Sequence, residues 1–150
     1  MISKLLLINS SKLILITLLI PIISFSQTYY DSALNFQNNI RSFYDLNELK
    51  YDSLLSVSDQ EWANHLVKGN DGILEFSDND KGELIYYYKK RENVRIEDYF
   101  LDASIGWVVE YDEEETFKQV VCEKCEFVGF GISENETYIY VVANYDKLYE

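Results

Sequence analysis

Basic residues are scarce in this sequence, and histidine and proline are nearly absent. Thirteen Lys and Arg stand against 26 Asp and Glu, with one His and one Pro in 150 residues. A net charge of −13 and a pI near 4.4 repel phosphate backbones and anionic lipid headgroups. Nucleic acid is therefore excluded as a partner, and so is direct adsorption to an anionic membrane. With His65 as the lone histidine, no Ser/His or Cys/His nucleophile set can be assembled, and a four-ligand zinc site lacks imidazoles.

Cysteine is confined to one CxxC, Cys122 and Cys125. The pair could form a local disulfide, bind a metal or stay reduced at the end of a helix. A redox-active CxxC usually opens a helix whose N-terminus stabilises the thiolate. This one follows a helical stretch and is flanked by Glu123 and Glu126, which raise a thiolate's pKa.

What the chain has in quantity is apolar and aromatic surface: 47% hydrophobic, with thirteen Tyr and eight Phe, enough for the core of one globular domain. Residues 1–26 differ from the rest. Lys4 precedes the aliphatic run Leu13 to Ile23, broken by Thr17 and Pro21, and Ser24-Phe25-Ser26 offers small residues for cleavage, the pattern of a secretory signal peptide. The run is shorter than the roughly 20 residues of a spanning helix, and no Cys follows it for lipid attachment. The reading is a signal peptide at 1–26 and a secreted or periplasmic domain at 27–150, with no transmembrane anchor after cleavage. Losing Lys4 and Lys12 takes the mature net charge to −15.

Along that domain, Asp31 or Ser32 caps a predicted helix with Ala33, Phe36, Ile40, Phe43 and Tyr44 on one face. Asp52 or Ser53 caps a second, with Leu54, Leu55, Ser58, Trp62, Ala63 and Leu66 together and Gly69 to Gly72 stopping it. Residues 69–82 read as a loop with one buried contact among Ile73, Leu74 and Phe76. Glu83 to Tyr88 is a buried strand. Lys89, Lys90, Arg91 and Arg95 read as a solvated turn. In a third helix Phe100, Ala103, Trp107 and Glu110 share a face, which aligns an acid with the apolar stripe. The acids 112–115 form a solvated loop. A short helical turn from Thr116 leads to a strand from Phe127 to Ile132, whose Gly129 and Gly131 face a close neighbour. Ser133 to Glu136 makes a turn, with a sequon at Asn135-Glu136-Thr137, and Thr137 to Tyr145 returns as a buried strand. Trp62 and Trp107 are expected core anchors, and His65 a surface or half-buried helix residue. The order α, α, β, α, short α, β, β defines an α+β domain closed by an antiparallel hairpin.

Leu49-Lys50-Tyr51-Asp52-Ser53-Leu54-Leu55 and Asp59-Gln60-Glu61-Trp62-Ala63 resemble the first signature of the CAP superfamily (cysteine-rich secretory, antigen 5 and pathogenesis-related proteins, also called SCP-like). There Leu-x-Trp-Asp-x-x-Leu leads into Ala-Gln-x-Trp-Ala. Gly82-Glu83-Leu84-Ile85 is similar to the family's Gly-Glu-Asn-hydrophobic motif, and Trp107-Val108-Val109-Glu110 to its Trp-x-x-Glu helix. Thr116-Phe117-Lys118-Gln119-Val120-Val121-Cys122 resembles His-Phe-Thr-Gln-hydrophobic-Val-Trp. Val128-Gly129-Phe130-Gly131 and Tyr140 to Asp146 resemble the closing hairpin. The five motifs, in order, cover nearly all of residues 33–146. They imply an α/β/α sandwich around a small antiparallel sheet.

The resemblance also implies a cleft in which complete members hold two His and two Glu, a set suited to a divalent cation. Here both acids are kept, as Glu83 and Glu110, and both histidines are lost. Thr116 stands where the second is expected and Phe76, before Ser77, where the first is. This implies a degenerate cleft of Glu83, Glu110, Thr116 and Phe76, with no cofactor and at most a weak divalent site on the two acids. Three functions are open: a non-enzymatic module binding a small molecule, lipid or extracellular protein; a scaffold or adhesion domain acting through its acidic surface; and a hydrolase using the paired carboxylates.

Overall fold

A computed structural model of the chain describes residues 28–69, 73–109 and 114–149. The expected leader at 1–26 and Glu110 lie outside the described residues. Nine elements follow in order: α1 (Asp31–Phe43), β1 (Lys50–Tyr51), α2 (Ser53–Gly69), β2 (Gly82–Lys89), α3 (Ile96–Val109), α4 (Glu114–Val120), β3 (Phe127–Val128), β4 (Gly131–Glu134) and β5 (Tyr138–Tyr145).

β5 is the centre of the sheet. It pairs antiparallel with β2 on one side, and with β3 and β4 on the other; β1 adds to β3 as a two-residue parallel bridge. Its sequence, YIYVVANY, lacks the polar alternation of a half-exposed strand because both faces are covered. Ile139, Val141, Ala143 and Tyr145 enter the larger core, with Ala33 of α1, Phe100, Ala103 and Trp107 of α3 and Val120 of α4. Tyr140 and Val142 enter a second core with Ala63 and Leu66 of α2 and Ile85 of β2. The sheet therefore lies between α2 on one side and α1, α3 and α4 on the other, an α/β/α sandwich.

Close approach of α2 to the hairpin demands glycine. A Cβ on Gly129 would sit 2.5 Å from the Asp59 carboxylate and the Ser56 amide nitrogen, and one on Gly131 would sit 2.3 Å from the Asp59 backbone carbon. The close neighbour expected on the glycine face is thus α2. The chain from Phe127 to Ile132 is not one strand, however. It breaks at Gly129-Phe130, where the Phe130 amide donates to Ser56 Oγ instead of the sheet, and β4 then runs on to Glu134, two residues into the expected turn.

The start of α2 follows its expected cap, whereas α1 begins with Tyr30 at the N-cap and no side-chain cap bond, Asp31 accepting from the Thr28 amide instead; the buried faces of both helices also differ from the apolar pattern. Asp52 Oδ1 accepts from the amides of Leu54 and Leu55, fixing the start of α2. In α2 the buried line is Leu55, Ser56, Asp59, Ala63 and Leu66, while Leu54 is 79% exposed. In α1 the buried line is Ala33, Gln37 and Arg41, and Phe43 is 79% exposed. Gln37 and Arg41 displace Phe43 and Tyr44 because buried acceptors wait for them. Arg41 donates to the carbonyls of Asn47, Val120, Cys122 and Cys125. Gln37 donates to Ser104 Oγ and accepts from the Tyr145 hydroxyl.

Trp107 is buried as expected. Trp62 is only half-buried: it packs at the edge of the α2-side core, stacks on exposed His65, and donates from its indole to the Glu75 carbonyl, pinning the loop before β2. That loop has no buried apolar contact at Ile73, Leu74 or Phe76, all of which are exposed.

Candidate functional site

The pairing of β2 with β5 places Glu83 directly opposite Asn144. Ile85 and Val142, two residues along on each strand, belong to the α2-side core, so by the two-residue period of a strand Glu83 and Asn144 also face α2. At the matching height α2 presents Asp59, which is fully buried. The three side chains form one chain of hydrogen bonds. Asn144 Nδ2 donates to Asp59 Oδ1 at 2.5 Å and lies 3.3 Å from Glu83 Oε1, while the Asn144 amide donates to Asp59 Oδ2 at 3.4 Å.

Glu83 has further partners in the preceding loop. The Ser77 amide donates to Oε2 at 2.8 Å, Ser77 Oγ to Oε1 at 2.5 Å, and Asn79 Nδ2 to Oε1 at 3.3 Å. The carboxylate therefore gathers four donor groups and holds the loop against the end of the sheet. The residue before this clamp is Phe76, 62% exposed, and Ile73 and Leu74 add two more exposed apolar side chains to the loop.

Burial pushes the Asp59 carboxyl up to about 7; the Asn144 side-chain and backbone hydrogen bonds oppose that shift and the nearby Glu83 charge adds to it. Among the described residues no Lys, Arg or His forms an ion pair with Asp59 or Glu83.

Thr116, in the first turn of α4, donates from Oγ1 to the Trp107 carbonyl at 2.9 Å, so it ties α4 to the last turn of α3. Of the four residues expected to share a cleft, Glu83 and Phe76 are brought close by the Ser77 clamp. Thr116 is placed by its bond to α3, and Glu110 falls outside the described residues. Ser77, Asn79, Asn144 and Asp59 complete the arrangement and were not singled out as site residues by sequence. The turn-forming Ser77-x-Asn79 was a local cue for the loop; Asp59, one of 26 acids, carried none.

Cys122 and Cys125 are joined in a disulfide, both buried, just beyond α4. Their turn is held by Arg41 through two carbonyls. A groove of about 760 Å³ runs beside it, lined by Lys118, Val121, Glu123 and Tyr149 among others. A second, of about 430 Å³, lies between the start of α3 and the β4–β5 hairpin, with Val94, Ile96 and Ile132 in its walls. Neither contains the Glu83 clamp, so cavity size and the polar cluster point to different places. The cluster is the better candidate, because it converges several polar groups whereas the grooves are open and have no such focus.

The family model of the cysteine-rich secretory protein family (CAP) matches residues 34–145. No curated protein matches the chain. Among solved structures, the crystal structure of NaASP2 with Zn2+ is similar with a TM-score of 0.67 and 15% identity, over 84% of this chain and 83% of that one. The hookworm platelet inhibitor gives 0.62 and 13%, over 81% and 70%. Venom allergen-like protein 4 of Schistosoma mansoni gives 0.56 and 18%, over 81% and 94%. At these identities the likeness is one of fold.

Proposed function

Since the chain belongs to the cysteine-rich secretory protein (CAP) family, we propose that it is an exported, non-enzymatic binding module whose ligand meets the loop held by Glu83. The observation that carries this reading is the use of the Glu83 carboxylate as a tie between the loop and the sheet. It accepts from Ser77 twice, from Asn79 and from Asn144. Three of these donors converge on Oε1 and one on Oε2, so the carboxylate is engaged in holding the loop to the sheet. The loop it holds exposes three apolar side chains, Ile73, Leu74 and Phe76, among the acids Glu75, Asp78 and Asp80. A small molecule, a lipid or an extracellular protein with apolar surface suits such a rim. Export is supported by family membership and by the leader pattern at 1–26; no described helix is long and apolar enough to cross a membrane.

The Zn2+ of the NaASP2 structure has no matching donor set among the described residues. The resemblance puts a hydroxyl, Thr116, and a phenyl ring, Phe76, where imidazoles would stand. The described residues hold no cluster of three or more His, Cys, Asp or Glu able to bind a metal. Zinc sites are built mainly on imidazole or thiolate, and the lone histidine, His65, lies away from Glu83 on α2 while both cysteines are in a disulfide.

Binding measurements with the exported protein against panels of small molecules, lipids and candidate extracellular proteins test the reading. A true cleft ligand loses tenfold or more in affinity in both Phe76→Ser and Glu83→Ala while circular dichroism stays native. A ligand whose affinity neither substitution changes removes the cleft from the proposal. Catalytic turnover that disappears in Glu83→Gln overturns it.

A further inference from the structure

Asp59 is a fully buried acid to which the binding reading above gives no part. The motif that residues 59–63 resemble has Ala at this position, and an Ala would suit a helix face pressed against Gly129 and Gly131. In its place stands a fully buried carboxyl with no cationic partner among the described residues. Burying a charge without a counter-charge is costly, and such groups respond by keeping their proton.

A single side-chain amide connects this acid to the cleft. Asn144 Nδ2 has two protons and two carboxylate neighbours, Asp59 Oδ1 at 2.5 Å and Glu83 Oε1 at 3.3 Å. The Glu83 oxygen it approaches is the one that also accepts from Ser77 Oγ and Asn79 Nδ2. Asn144 Oδ1 in turn lies 3.5 Å from Asn79 Nδ2. An ionised Asp59 competes for the amide and repels the Glu83 charge. A protonated Asp59 no longer repels that charge and accepts more weakly through its remaining carbonyl oxygen, which lets the amide turn further toward Glu83.

We propose that Asp59 is a proton switch on the cleft: taking up or releasing one proton redistributes the Asn144 amide between the two carboxyls and so changes how Glu83 holds Ser77 and Asn79 beneath Phe76. Asp59 is a positioning residue in this scheme, acting through Asn144, and its role in binding rests on the cleft reading above. The proton is exchanged with solvent, and no other bond is made or broken. With the carboxyl pushed up to about 7 by burial, both forms are populated near neutrality. The titratable groups that act on Asp59 from the packed elements are Glu83 of β2 and Tyr145 of β5, whose phenol burial drives far above its usual range and leaves neutral. β4 presents only the backbone of Gly131 at this point.

Carbon-detected NMR of the ligand-free exported protein between about pH 5 and pH 9 tests the switch. The expected result is an Asp59 carboxyl transition near neutral pH, tracked with the same midpoint by the backbone amide of Ser77, and loss of the Ser77 step in Asp59→Asn. The proposal is overturned if wild-type Asp59 titrates below about 5, in the ordinary carboxyl range. A Ser77 amide that stays flat through the Asp59 transition overturns it as well, as does a Ser77 step that persists in Asp59→Asn. The wild-type titration decides alone if the variant does not fold. Because no ligand is present, failure here leaves the binding reading standing, and a ligand indifferent to Phe76→Ser leaves the switch measurable.

Discussion

On the α1 side of the sheet, Arg41 is enclosed completely and meets four backbone carbonyls; on the α2 side, Asp59 is enclosed just as completely and meets one asparagine. Both are charged residue types in the core of a small domain. The arginine faces acceptors in sequence-distant turns, among them Val120 at the end of α4 and both carbonyls of the CxxC. Its positive charge suits those carbonyl ends, and although burial lowers its pKa, a guanidinium keeps its proton. The aspartate sits beside another acid and has an alternative to staying charged. One region is a lock with a single state, and the other has two states that differ by one proton.

The lock should be the costlier of the two to break. Arg41→Leu fills most of the same volume but removes a donor from four carbonyls; that of Cys122 keeps the Cys125 amide, and each carbonyl left buried and unsatisfied costs about 1–3 kcal/mol. Partial access of water to the loop carbonyls reduces the total. The expected loss is roughly 4 kcal/mol, read as a lowered urea midpoint at unchanged slope. A loss under about 1 kcal/mol would mean that the carbonyls find water and that the α1 side is no more constrained than the α2 side.

The opposite sign is expected at Asp59. A carboxyl raised from 3.8 to about 7 keeps its proton in the folded state after the unfolded chain has released it. Wild-type stability therefore falls as pH rises from about 4 to about 7 and then levels off. At 1.36 kcal/mol per pH unit, the decline has an upper bound on the order of 4 kcal/mol. Asp59→Asn removes the titrating group and keeps the shape, so it should flatten this limb and be more stable than wild type at pH 8. Parallel pH–stability curves for the two proteins, from urea unfolding at several pH values, would reduce Asp59 to a second fixed polar contact like Gln37.

How much of this contrast could be read from the chain depends on what periodicity counts. The apolar core of β5, the α3 stripe through Phe100, Ala103 and Trp107, the Asp52 cap and the glycines of the hairpin were legible, because each leaves a local mark. The α1 face was misread because its buried line contains Gln37 and Arg41, whose partners lie 67 to 108 residues away for Gln37 and up to 84 for Arg41. A pattern of apolar residues cannot register a polar side chain that is buried because distant carbonyls or hydroxyls receive it. Asp59 was hidden for the same reason in a chain with 26 acids, where one more on a helix looks like a solvated one. β1 and β3 are two residues each, too short for any alternation to appear. Glu83 was legible as a motif residue, while its grip on Ser77 and Asn79 belongs to loop geometry.

The smallest effect expected, and the one that tells whether the two-state region extends beyond the buried acid, is at Ser77. Ser77→Ala deletes the 2.5 Å bond to Glu83 Oε1 and keeps the amide bond to Oε2. The site is half-buried, so water can replace the lost hydroxyl, and the net cost should be about 1 kcal/mol. If the clamp and Asp59 share the Asn144 amide, Glu83 with one donor fewer draws that amide more strongly. The ionised form of Asp59 then loses part of its stabilisation, and its midpoint moves upward. Ser77→Ala would thus change the pH at which stability levels off by more than its own small cost suggests. A variant that loses its 1 kcal/mol uniformly at every pH would show Ser77 to be an ordinary loop contact, and would confine the proton-dependent region to Asp59 and Asn144.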